Sequence, residues 1–138
     1  MSHLEKVLYT GKTRTLGGRD GTSRSADGRL DVRLSTPGTP GTGANPEELL
    51  AAAWSASFIS ALKHEALETN VSLSGSIAIE AEIDLVTTGS GDFLRARFDI
   101  SLSGVGRGVA QNLVNAAHQT CPFSKATRGN IDATINLL

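Results

Sequence analysis

An α+β fold is what the sequence predicts, and three features carry that expectation. Several segments alternate apolar and polar residues with strand period, two stretches repeat with helical period, and turn residues join neighbouring strands as antiparallel hairpins. The resulting order is βββ-α-ββ-α-β.

The first strand is expected within Leu4 to Arg14, which is moderately β-prone, and another where Leu30, Val32 and Leu34 alternate with Asp31, Arg33 and Ser35. Between them lie the turn signals Gly17-Gly18-Arg19-Asp20-Gly21 and Asp27-Gly28, which together give a three-stranded meander. The segment TPGTPGTGAN, Thr36 to Asn45, is too rich in Pro and Gly for regular structure and reads as a surface crossing.

Asn45 has the character of an N-cap, with Pro46 at the first helical position and Glu48 three residues after the cap. The run that follows, LLAAAWSASFISAL from Leu49 to Leu62, has fourteen residues and no charge. With apolar residues on every side it belongs between two layers. Lys63, His64, Glu65 and Glu68 then bring the helix into water, and Asn70 ends it.

Ile77, Ile79, Ala81, Ile83 and Leu85 alternate with Glu80, Glu82 and Asp84. After the turn TTGSGD, Leu94, Ala96, Phe98, Ile100 and Leu102 alternate with Arg95, Arg97 and Asp99, so a long hairpin with opposite charges across its wet face is expected. Ala110, Leu113, Val114, Ala117 and Cys121 follow helical spacing up to Pro122, which stops the helix, and Ile131, Ala133, Ile135 and Leu137 form a last strand.

At 138 residues the chain reads as a single domain spanning 1–138. Thirteen basic residues against fourteen acidic leave a net charge of −1, which favours neither nucleic acid nor an anionic membrane surface. The start, MSHLEKVLYTGK, lacks a signal-type apolar region and a cleavage site, and the longest uncharged run falls short of the ~20 residues of a membrane span, so cytoplasm is the expected location. One cysteine, Cys121, excludes an internal disulfide and a zinc site of several thiolates.

Ser57 and Cys121 stand on the apolar stripes of the two helices, where small polar side chains are ordinarily fillers. The motifs around them say more. NPEEL, WSASFISAL and HQTCPFSKATRGNID, with the early VLYTGK and GGRDG, resemble the organic hydroperoxide resistance proteins of the OsmC/Ohr family from about Lys6 to the C-terminus. The resemblance implies antiparallel sheets packed around two central helices in an intertwined homodimer.

It also implies four roles. The family's peroxidatic cysteine corresponds to Ser57, its resolving cysteine to Cys121, the loop arginine to Arg19 and the glutamate of the NPE segment to Glu47. A peroxide-reducing thiol must ionise below its free pKa of ~8.5, which a permanently charged arginine favours, and a carboxylate can orient that arginine by a bidentate pair. Attack leaves a sulfenic acid that the second thiol condenses to a disulfide. The resemblance further implies a dihydrolipoyl reductant, dihydrolipoamide or a lipoylated protein, with no bound cofactor and no metal, and an apolar pocket for organic hydroperoxides with Trp54 and Phe58 as wall candidates.

A serine at position 57 cannot form a sulfenic acid or a disulfide and ionises too weakly to attack unaided, so the chain as written is expected to be an inactive peroxidase. Deliberate replacement of Cys by Ser fits the otherwise intact site better than a natural paralogue that has lost activity. Other readings are a non-catalytic protein holding a lipid-like or lipoyl ligand, and serine hydrolysis through Ser57, for which no G-x-S-x-G elbow is present.

On one straight helix Glu47 and Ser57 would stand ~15 Å apart, too far to share Arg19. A break is therefore expected, with a short helix from Pro46 to about Ala52 and a second starting near Ser55, whose first turn would favour a thiolate at position 57. Glu48 is assigned to capping, His118 offers a group to tune Cys121 although a catalytic role is not the plainer reading, and Lys125 and Arg128 are expected as exposed loop charges.

Overall fold

The computed structural model describes residues 4–138, so Met1–His3 of the N-terminal segment lie outside the described residues. By its internal contacts the chain divides at Pro46 into two compact units.

The first unit is the expected meander. Strands β1 (Thr13–Leu16), β2 (Thr22–Ser25) and β3 (Asp31–Arg33) pair antiparallel in that order, with Leu16 opposite Thr22 and Thr22 opposite Arg33. The first strand does not lie at Leu4 to Arg14 but begins at Thr13. Leu4 is 97 % and Leu8 87 % exposed. β propensity needs a neighbouring strand to act on, and among the described residues Leu4 and Leu8 lie in no strand.

The β1–β2 connection is made by backbone that glycine alone adopts easily. Gly17 and Gly18 have φ of 73° and 59°, and a Cβ at Gly21 would stand 1.7 Å from the Leu16 carbonyl oxygen. Asp20 then accepts the Thr36 N–H at 3.0 Å, which anchors the Pro- and Gly-rich crossing to this turn.

In the second unit, α1 runs without interruption over Pro46–Glu68. The expected break near Trp54 is absent. Ala51, Ala52, Ala53 and Ala56 are the strongest helix formers, and the Ser55 hydroxyl donates back to the Ala51 carbonyl at 2.6 Å, so nothing local disfavours continuity. Trp54, Phe58, Leu62 and Ala66 form its buried stripe, each one turn from the next, while Ala52, Ala53, Ala56 and Ser60 remain exposed. The uncharged run thus meets one layer within its own chain, not the two expected.

Strands β4 (Ile77–Thr88) and β5 (Gly91–Leu102) form the long hairpin with Ile77 opposite Leu102. The opposite charges pair across its wet face: Arg95 and Asp84 approach to 2.9 Å, and Arg97 meets Glu82. Strand β6 (Asp132–Leu137) pairs with β5 in parallel, Ile100 beside Leu137, which corrects the wholly antiparallel expectation. Helices returning the chain between β5 and β6 bring it back in the same direction, as a crossover must.

That crossover contains α2 (Arg107–Thr120) and α3 (Pro122–Thr127). α3 was not expected from the sequence; Pro122 ends one helix and, having no N–H to lose, serves equally at the first position of another. Inward side chains of α1, α2 and β5 meet in one core, at whose centre Phe98 sits edge-on to Trp54 at 4.8 Å and to Phe58 at 5.9 Å between ring centroids. Among the described residues no helix is long and apolar enough to cross a membrane.

Candidate functional site

The corner between α2 and α3 rests against the middle of α1. Cys121 forms that corner: its N–H closes α2 on the Ala117 carbonyl at 2.8 Å, and its own carbonyl accepts the Lys125 N–H of α3 at 2.9 Å. Its φ of −60° and ψ of 123° are the extended conformation that the following proline requires. The side chain is thereby turned into the core, where it has no exposed surface.

There the Cys121 thiol donates to the Ser57 hydroxyl, with Sγ and Oγ 3.5 Å apart. Ser57 is half-buried on α1, one turn beyond Trp54 and beside Phe58. A buried sulfur therefore touches a hydroxyl that retains access to solvent. Both expected members of the pair are brought together.

Beneath them lies a polar chain. Trp54 Nε1 donates to Ser124 Oγ at 3.1 Å, and His118 Nδ1 lies 3.0 Å from the same oxygen. The His118 ring also packs on Phe58, with centroids 6.3 Å apart. Burial first, and the Arg128 guanidinium second, push His118 below its ordinary pKa. Ser124 escapes a reading of the sequence because serine in a loop-like CPFS stretch looks solvated; the available signal was that a buried indole N–H demands an acceptor.

The other two expected site residues are Glu47 and Arg19. Glu47 is half-buried in the first turn of α1, and the unbroken helix places it ~15 Å along the axis from position 57. Its carboxylate therefore does not meet the Ser57 hydroxyl within one chain. Arg19, half-buried, is carried by the first unit on a single 3-10 turn, Gly18–Asp20. Glu48 is exposed, Lys125 and Arg128 are exposed as expected, and no group of three or more His, Cys, Asp or Glu among the described residues is arranged to hold a metal ion.

The pattern of the OsmC-like protein family matches residues 38–136, which include Glu47, Ser57 and Cys121. The chain belongs to the OsmC family. Across 99 % of both chains it is 41 % identical to the organic hydroperoxide resistance protein of Xanthomonas axonopodis pv. citri. Among solved OsmC-family structures, the organic hydroperoxide resistance protein OhrB of Bacillus subtilis superposes with a TM-score of 0.89 at 39 % identity, covering 96 % of this chain and 100 % of that one. An organic hydroperoxide resistance protein from Legionella pneumophila gives 0.90 at 35 % identity, over 96 % and 98 %. The α+β architecture described above is therefore the OsmC/Ohr fold.

Proposed function

We propose that this chain is the scaffold of a thiol peroxidase that reduces organic hydroperoxides, with Ser57 standing where the attacking sulfur belongs. The observation that carries this reading is the 3.5 Å contact between Cys121 Sγ and Ser57 Oγ. Two positions whose side chains already touch are two positions at which a sulfenic acid could be resolved without rearranging the fold.

With a thiolate at position 57, the sulfur attacks the distal peroxide oxygen. An S–O bond forms, the O–O bond breaks, and the alkoxide leaves as alcohol after taking a proton. The Cys121 thiol then displaces hydroxide from the sulfenic sulfur; an S–S bond forms and water leaves. A dithiol of the dihydrolipoyl class, as dihydrolipoamide or on a lipoylated protein, reduces the disulfide by exchange.

Arg19 and Glu47 are assigned the charged part of the site. In this reading the guanidinium favours a thiolate at position 57 and the carboxylate orients the guanidinium. An intertwined homodimer, each chain a single domain, is part of this proposal: a second copy would cover the exposed Ala52, Ala53 and Ala56 face of α1 and give the strand-prone segment around Leu8 a partner. Cytoplasm remains the proposed location.

Turnover of an alkyl hydroperoxide with dihydrolipoamide, compared between the chain and its Ser57→Cys form, tests the proposal. The parent should be inert and the variant active. An inert variant that still binds dihydrolipoamide tightly would instead favour a non-catalytic carrier of the lipoyl group.

A further inference from the structure

The reaction above makes no use of the buried hydroxyl of Ser124. The residue has no exposed surface, so both its acceptor and its donor capacity have to be met internally. An indole N–H only donates, so Ser124 Oγ accepts from Trp54 at 3.1 Å. Its other contact is with His118 Nδ1, 3.0 Å away, and the Ser124 hydroxyl proton is assigned to this contact. Donation along this path leaves His118 neutral, with its own proton on Nε2.

The arrangement brackets the sulfur contact. Trp54 stands three residues before Ser57 on α1, His118 three before Cys121 on α2, and Ser124 three after Cys121 on α3. Each is one helical turn from the contact, and one oxygen joins all three elements.

We propose that Ser124 is a positioning residue for Cys121: by accepting from Trp54 and donating to His118 it clamps the α2–α3 corner to α1 and keeps the Cys121 sulfur on position 57. The inference rests on the reading that positions 57 and 121 are the reacting pair. It assigns Ser124, Trp54 and His118 to holding that pair rather than to contact with peroxide. A buried hydrogen-bond chain suits this task because losing one member strands the others without water to replace it.

Nitrogen-15 NMR of the chain itself reads the clamp directly. The expected spectrum has His118 Nδ1 unprotonated and Nε2 protonated, and Ser124→Ala should replace that fixed tautomer by an averaged one. The second measurement is closure of the disulfide between positions 57 and 121 in the Ser57→Cys form, followed by mass after quenching. Two oxidants are used: an alkyl hydroperoxide, and diamide, whose azo group takes up the two thiol hydrogens as the S–S bond forms.

Adding Ser124→Ala should slow diamide closure about tenfold, and Trp54→Phe, which removes the indole donor but keeps a ring, should slow it in the same direction. A protonated Nδ1 in the parent, or closure unchanged in both variants, would overturn the clamp. Closure by diamide but not by peroxide, still slowed by Ser124→Ala, would leave the clamp standing and remove the peroxidase reading instead.

Discussion

Cys121 Sγ lies 3.5 Å from Ser57 Oγ across a sequence separation of 64 residues. The contact exists because Pro122 forces Cys121 into an extended corner while an unbroken α1 presents Ser57 to that corner. Its consequences reach beyond the pair itself.

The clamp around it makes stability depend on pH. His118 is held below its ordinary value of 6.5 by burial first and Arg128 second, so the unfolded chain binds that proton more strongly than the folded one. The stabilisation tied to neutral His118 should be complete above about pH 6.5 and be lost progressively as pH falls through the lowered folded value. Urea unfolding from about pH 8 to about 5 should show this slope, and His118→Asn should flatten it.

Arg128 gives the same group a separate test. It is an exposed cation whose field opposes protonation of His118. Arg128→Gln should therefore raise the His118 pKa in an NMR titration, by less than removing its burial would.

Phe98 and Arg97 are neighbours on β5 with opposite energetic standing. Phe98→Ala empties the space between Trp54 and Phe58 and should cost about 3–5 kcal/mol in denaturant unfolding. Arg97→Ala removes an exposed partner of Glu82 and should cost less than about 1 kcal/mol.

Gly21→Ala should damage the turn that carries Arg19. The added methyl would stand 1.7 Å from the Leu16 carbonyl oxygen, so the backbone has to move. A loss of roughly 2 kcal/mol or more, with faster hydrogen exchange in β1 and β2, is expected.

Much of this was legible in the sequence. The meander, the long hairpin with its crossed charges and both long helices follow from periodicity and turn residues, and the two residues of the sulfur contact from the resemblance of the motifs around them to the OsmC/Ohr family. What escaped depends on partners. The segment from Leu4 to Gly11 has strand propensity but lies in no strand of the described residues, and the parallel placement of β6 follows from the return path of α2 and α3 rather than from its alternation pattern. The helix break was inferred from the needs of the site, against a local sequence of alanines that supports an unbroken helix. Ser124 was hidden because its role is set by an indole seventy residues away.

The central claim is that a sulfur at position 57 would meet a peroxide on one side and Cys121 on the other. Intact mass of the Ser57→Cys protein after one equivalent of an alkyl hydroperoxide tests it most directly. The account expects the loss of two hydrogens, reversed by dihydrolipoamide and absent from the parent chain. An unchanged mass, or a sulfenic acid that persists beside a free Cys121 thiol, would contradict it.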